Sequence, residues 1–256
     1  MKHGSLFSGI GGFSLAGTWA GFSPALACEI DEFCRKVYVK HFPGVPIHED
    51  IRSLDYETIK KKIGNNPITL VCGGFPCQPF SVAGRRKGTK DHRSLWSQMH
   101  RIINITKPNW VVAENVPGLL SSGGGLDFET VCSSLEDIGY TLQPLLLPAA
   151  GAGAPHVRER IFLVGNSYGQ RENDCREKRQ KGMAEKNEGR DSSGEADKIH
   201  DGRRRWDNQP GMDRISYGVP RRMDRLRALG NSVVPHVAYQ VLRIIAEMER
   251  RQNYVD

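Results

Sequence analysis

Apolar runs that stop at glycines or at a single polar residue recur along the first two thirds of this chain, with helix-like stretches between them. One run ends at Leu6-Phe7; others are "ALACEI" (25–30), "ITLVCGG" (68–74) and "NWVVAENV" (109–116), followed by "TLQPLLLPA" and "ERIFLVG". Between them, helical spacing is visible near Leu15 to Trp19, in "DEFCRKVYVKHFP", which Pro43 closes, in "SLWSQMHRIINIT", and in "DFETVCSSLEDIGY", which Gly139 closes. Short apolar strands alternating with amphipathic helices predict an α/β fold with a parallel sheet covered by helices on both faces. In such sheets ligands bind beyond the carboxyl ends of the strands. Gly9, Glu29, Asp50, Cys77 and Glu114 each follow a strand-like run, so the polar residues fall where a site is expected.

A chain of 256 residues suffices for one large domain with a sizeable core. Its formal net charge of +7 makes a polyanion a reasonable partner. The opening residues lack the long apolar stretch of a secretory signal, and no later run is long enough to span a membrane. The expectation is a cytoplasmic protein with reduced thiols and no membrane association. Of the six cysteines, Cys72 and Cys77 have four residues between them, but no second close pair of ligands follows, so no metal site is expected.

Four local motifs carry chemistry. "LFSGIGGF" (6–13) places glycines after the first strand and before a helix. There they serve either as a tight turn or as a place where a ligand approaches the backbone and the helix N–H groups. Glu29 ends the next strand, where an acid accepts hydrogen bonds from ribose hydroxyls. Asp50 either caps the helix "IRSLDYETIKK" or, with Ile51, meets an adenine ring. "GGFPCQPFS" (73–81) sets a thiol, Cys77, between two prolines on a loop that also holds Arg85, Arg86 and Lys87. A neighbouring cation or proton acceptor turns such a thiol into a strong soft nucleophile. "ENV" (114–116) puts a carboxylate at a strand end, suited either to stay protonated beside an apolar wall as an acid or to brace a loop. "GAPHVRERIF" (153–162) alternates Arg158 and Arg160, which on an extended segment share a face that suits phosphate.

In this order the motifs closely resemble those of the cytosine-5 DNA methyltransferases. "LFSGIGGF" resembles that family's first motif, "GGFPCQPFS" its nucleophile motif, "ENV" and "RER" its sixth and eighth, and "LGNSVVP" (229–235) its tenth; the likeness covers roughly residues 4–165 and 220–250. It implies a Rossmann-like sheet that binds S-adenosyl-L-methionine, plus a small irregular target-recognition region. It also implies methyl transfer to C5 of a cytosine flipped out of double-stranded DNA. Cys77 would add to C6, Glu114 would hold or protonate N3, and Arg158 and Arg160 would orient the base. Cofactor contacts carry over to Phe7, Gly9, Gly11, Glu29, Ile30, Asp50, Ile51, Pro76, Leu95 and Asn231. Nucleic-acid contacts carry over to Gln78, Ser81, Arg85, Arg93 and His156, the last standing where the family has a Gln. Arg203 and Arg205, in the run "RRRW", are contact candidates in the recognition region.

The resemblance also fixes an expected organisation. Residues 1–165 form a catalytic and cofactor-binding domain, 166–224 the recognition region, and 225–256 a segment that returns to the catalytic domain. From about Ser167 to Arg214 the sequence is highly charged and nearly devoid of apolar periodicity, so alone it cannot bury enough surface to fold. It is read as a solvated insertion or as a segment that orders on a partner. After it come a Gly-Asn turn and a terminal amphipathic helix. A monomer is expected, with a cognate restriction endonuclease as a possible partner in the same system. The same motifs serve tRNA cytosine-5 methyltransferases, and a catalytically silent DNA-binding relative is a further alternative. The intact Cys77, Glu114, Arg158 and Arg160 argue against silence.

Overall fold

The computed structural model describes residues 1–76, 94–167 and 220–252. The strands are β1 (Lys2–Leu6), β2 (Ser23–Cys28), β3 (Ile47–His48), β4 (Leu70–Gly74), β5 (Trp110–Asn115), β6 (Thr141–Pro148) and β7 (Glu159–Asn166). They form a seven-stranded sheet in the order β3-β2-β1-β4-β5-β7-β6. The helices are α1 (Gly12–Ala20), α2 (Glu32–His41), α3 (Tyr56–Ile63), α4 (Ser94–Thr106), α5 (Leu126–Asp137), α6 (Arg222–Asn231) and α7 (Pro235–Gln252).

Pleating divides the apolar residues of each strand between two layers. Val111 and Ala113 of β5 face a core completed by Ile59 of α3, Met99, Ile102 and Ile103 of α4, and Val131 and Leu135 of α5. Trp110 and Val112 face the opposite core, made with Phe13 and Ala16 of α1 and Val237, Val241, Leu242 and Ile245 of α7. All six residues of β5 are buried, as a strand covered on both faces requires. Local signals set the helix starts. Asp31 caps α2 by accepting from the Cys34 amide at 2.9 Å, and Asp55 caps α3 by accepting from Thr58 at 2.8 Å.

The sheet is not wholly parallel, which corrects the sequence-based expectation. β1 to β5 pair in parallel, but β7 runs antiparallel to both β5 and β6. The reason lies between β6 and β7: only a four-residue 3₁₀ turn (Ala149–Ala152) and a short stretch join them, too little for a crossover helix. A second correction concerns "LGN". Gly230 and Asn231 are the last residues of α6, and the chain leaves the helix at Ser232.

The strand order reverses between β1 and β4, the two strands on either side of the point where connections leave in opposite directions. A crevice opens at such a point beyond the carboxyl ends. Residues 7–11 follow β1 there, and Phe75-Pro76 follow β4.

Candidate active site

Two groups of side chains meet this crevice. The first surrounds the glycine loop. Phe7, Gly9 and Gly11 all have positive φ (51°, 53° and 97°). A Cβ on Gly11 would also lie 2.5 Å from Phe42 Cε2, so only glycine fits that turn. A Cβ on Gly9 would meet nothing within 4 Å, which leaves open space beside the backbone. Glu29 ties the loop to β2: its Oε2 accepts from the Gly9 amide at 2.7 Å and its Oε1 from the Asp31 amide at 2.8 Å. Ile30 is 65 % exposed although apolar, while Ile51 is buried and Leu95 packs partly against the core.

Asp50 does two things at once. It caps the short turn Ile51–Ser53 through the Arg52 amide at 3.0 Å, and it grips the Arg52 guanidinium, with Nη2 2.7 Å from Oδ2. That pairing holds its carboxyl below the usual range. The C-terminal segment packs against the start of α1. A Cβ on Gly12 would lie 2.8 Å from Val233 Cγ1, so α1 and the stretch after Asn231 are in close contact; Asn231 itself is exposed.

The second group lies at the ends of β5 and β7. Glu114 is buried, and Arg160 Nε stands 3.1 Å from its Oε1. Burial raises the Glu114 pKa, against the pull of Arg160 and then Arg158. Arg158, half-buried, donates through Nη2 to the carbonyls of Gly230 at 2.7 Å and Ser232 at 3.2 Å. Burial, then repulsion from Arg160, lowers its pKa. Glu114, Arg158 and Arg160 are thus together, but Arg158 is bonded to the C-terminal end of α6, and His156 is exposed. Gly74 lies opposite Glu114 in the β4–β5 register, so close that a Cβ would come within 2.8 Å of Oε2. Asn115 ties the end of β5 to the chain just beyond β4. Its Nδ2 donates to the Phe75 carbonyl at 3.0 Å, and its Oδ1 accepts from the Val116 amide at 2.8 Å.

Cys77, Gln78, Ser81, Arg85, Arg93, Arg203 and Arg205 lie outside the described residues. Phe75 and Trp96, on either side of the 77–93 stretch, touch with ring centroids 4.8 Å apart. Asn115, Trp96, Arg35 and Arg101 are contributors that motif reading passed over; Asp31 carried a legible signal as an acid at a helix start. Among the described residues no three His, Cys, Asp or Glu side chains gather to hold a metal, and no helix is long and apolar enough to cross a membrane.

A model of the C-5 cytosine-specific DNA methylase family matches residues 1–209. The type II methyltransferase M.AquIA of Picosynechococcus is 37% identical over 177 residues, covering 64% of this chain and 71% of that protein. M.HhaI of Haemophilus parahaemolyticus is 34% identical over 165 residues, covering 64% of this chain and 48% of that protein. Among solved structures, a protein described as a DNA modification methyltransferase of an E. coli prophage superposes with a TM-score of 0.58 at 29% identity, over 67% of this chain and 48% of that one. The Dnmt2 methyltransferase of S. pombe gives 0.53 at 25% identity, over 65% and 50%. The chain thus spans about half the length of most of these relatives.

The sheet order, the glycine loop with its following acid, and these likenesses define the Rossmann-like fold class that this chain shares with these methyltransferases. Within that class the chain belongs to the C-5 cytosine-specific DNA methylase family.

Proposed function

We propose that this protein transfers the methyl group of S-adenosylmethionine to C5 of cytosine in double-stranded DNA, through a covalent bond from Cys77 to C6. The observation that carries the reading is the buried Glu114 at the end of β5. It is paired to Arg160, opposite Gly74, and only Phe75 and Pro76 separate Gly74 from Cys77 in the chain.

The cofactor, when bound, supplies an electrophilic methyl on a sulfonium. The residues present fit it: open space beside Gly9, a Glu29 carboxylate fixed by two amides for the ribose hydroxyls, and exposed Ile30 for the adenine face. Asp50 would share its carboxylate between Arg52 and the adenine amino group.

Cytosine C5 is a poor nucleophile while the ring is aromatic. Thiolate addition at C6 breaks that aromaticity and makes C5 enamine-like, dividing one hard step into easier ones. Glu114, its pKa raised by burial, holds a proton for N3 and draws charge out of the ring as the thiolate adds. Arg160 keeps the Glu114 carboxyl oriented, and the guanidiniums of Arg158 and Arg160 favour thiolate and phosphate nearby. Loss of the C5 proton and expulsion of the Cys77 thiolate restore the ring. The target is buried in a duplex, so it must be flipped out. Residues 166–224 are assigned to choosing the sequence, with Arg203 and Arg205 as contacts. The working form is a cytoplasmic monomer, alongside a cognate endonuclease where one exists.

The test is methyl transfer from labelled S-adenosylmethionine to mixed-sequence duplex DNA and, separately, to total tRNA, with Cys77→Ala as control. Label in DNA that disappears with Cys77→Ala is expected. Label confined to tRNA would move the function to RNA, and label that survives in Cys77→Ala would overturn the covalent mechanism.

A further inference from the structure

The two turns assigned to adenosine, Glu29–Ile30 and Asp50–Ile51, have little structure of their own. One is a strand end, the other a three-residue 3₁₀ turn. Each is nevertheless held from behind by an arginine that the proposed chemistry does not use. Arg101, in the middle of α4, donates from Nη2 to the Ile51 carbonyl and from Nη1 to the Leu54 carbonyl, both at 2.7 Å. Its Nε donates to Gln98 Oε1 at 2.8 Å, which fixes the guanidinium one helical turn away. Arg35 of α2 donates from Nη1 to the carbonyls of Glu29 at 3.1 Å and Ile30 at 2.6 Å. Its Nη2 stands 3.3 Å from Glu49 Oε1, on the residue before Asp50.

Arg35 therefore bonds to the first turn and pairs with the exposed Glu49 just before the second, and Arg101 fixes the second turn to the helix that begins where the 77–93 stretch ends. A planar guanidinium suits this work, because it directs several donors in a fixed fork to carbonyls it cannot follow flexibly. A lysine ammonium is a single point of contact. Charge-assisted bonds to partly buried carbonyls are also stronger than neutral ones.

We propose that Arg101, with Arg35, is a positioning residue that sets the spacing between Glu29 and Asp50 and so tunes affinity for the adenosine half of the cofactor. This rests on the reading that these turns flank the cofactor. It assigns Arg101 no contact with cofactor or base, so its loss should act on binding and not on the chemical step.

The probe is S-adenosylhomocysteine, titrated calorimetrically into the full-length protein without DNA, so that no activity is needed. Arg101→Met should raise the dissociation constant about ten-fold, and Arg35→Met should act in the same direction. Arg101→Lys, which keeps the charge and reaches one carbonyl, should fall between, at about three-fold. The methylation rate at saturating cofactor should stay within about two-fold of the parent, giving a KM effect without a kcat effect. Amide exchange at Ser53 and Leu54 should quicken in both Arg101 variants even without ligand.

Folded Arg101 variants with unchanged affinity would overturn the proposal, as would a loss of kcat at unchanged affinity. If Arg101→Met fails to fold, Arg101→Lys decides; a lysine variant that also unfolds makes Arg101 a stability element and overturns the positioning role. Failure of the unaltered protein to bind S-adenosylhomocysteine would instead remove the cofactor reading on which the proposal stands.

Discussion

His3 should make this fold sensitive to acid, by an amount that can be worked out. It sits in β1 with no exposed surface, its ring edge-on to Phe22 with centroids 6.4 Å apart. Nε2 lies 3.4 Å from Ser14 Oγ, which lies 2.8 Å from the Tyr38 hydroxyl, so the imidazole ends a polar chain that runs through α1 to α2. Nδ1 is buried with no partner among the described residues. Burial lowers the pKa from 6.5 to about 4. Between those values the unfolded chain binds a proton that the folded protein does not, so stability rises with pH. The contribution is complete above the unfolded value and is lost as pH falls through the folded one. From about pH 8 to about pH 5 the linkage amounts to ~2 kcal/mol, and it approaches ~3 kcal/mol once the folded group is also protonated. Urea unfolding of the parent and of His3→Leu, each at both pH values, isolates this histidine, since every other titrating group is common to the two proteins. Leucine is close in volume, and Ser14 keeps its bond to Tyr38. The parent should lose about 2 kcal/mol more than His3→Leu on acidification, at equal m-values. Equal losses in the two proteins would refute the burial argument.

Other perturbations test the site and its supports. Gly74→Ala puts a Cβ 2.8 Å from Glu114 Oε2; methylation should fall about ten-fold or more, with a stability loss of about 1–3 kcal/mol that leaves the protein folded, and an unaltered rate in a folded variant would count against the assigned role of Glu114. Arg160→Ala removes the stronger of the two charges that oppose burial at Glu114, so the carboxyl should hold its proton to higher pH, seen by carbon NMR of labelled glutamate and as an upward move of the matching limb in the pH–rate profile. Because the folded pKa of Glu114 is already raised, its stability contribution is present at low pH and is lost as pH rises through that value; the variant should therefore be most fragile at high pH. Glu249→Ala removes the acceptor of both Asn109 Nδ2 (2.7 Å) and Trp110 Nε1 (2.9 Å) and should destabilise by about 2–4 kcal/mol, whereas Glu249→Gln should cost about 1 kcal/mol in the same denaturation assay; matching midpoints for all three proteins would refute the clamp between α7 and β5.

What the sequence made legible follows from where the physics is local. Strand runs and helix periods are nearest-neighbour patterns, so α4 appears as "SLWSQMHRIINIT" from end to end, and Pro43 and Gly139 mark real stops. The polar residues closing those runs were conspicuous for the same reason: nothing in a buried strand calls for Glu29 or Glu114. Antiparallel β7 was missed although the cue was present, since the stretch between "TLQPLLLPA" and "ERIFLVG" is too short to cross back over the sheet. Arg101 and Glu249 were illegible for a deeper reason. On an amphipathic helix each reads as an ordinary solvated charge. Arg101 is instead defined by carbonyls 47 and 50 positions away, and carbonyls are the same in every residue. Glu249 is defined by donors 140 and 139 positions away. Asp50 shows the intermediate case. Capping and ligand contact both ask for a carboxylate at a strand-to-helix turn, so the two readings were not rivals: a carboxylate with one oxygen on an amide and both near Arg52 is held in place, and a group held in place is what a ligand contact needs. The braces behind a site are therefore the part least visible in sequence and the part where substitution should change affinity while leaving every motif intact.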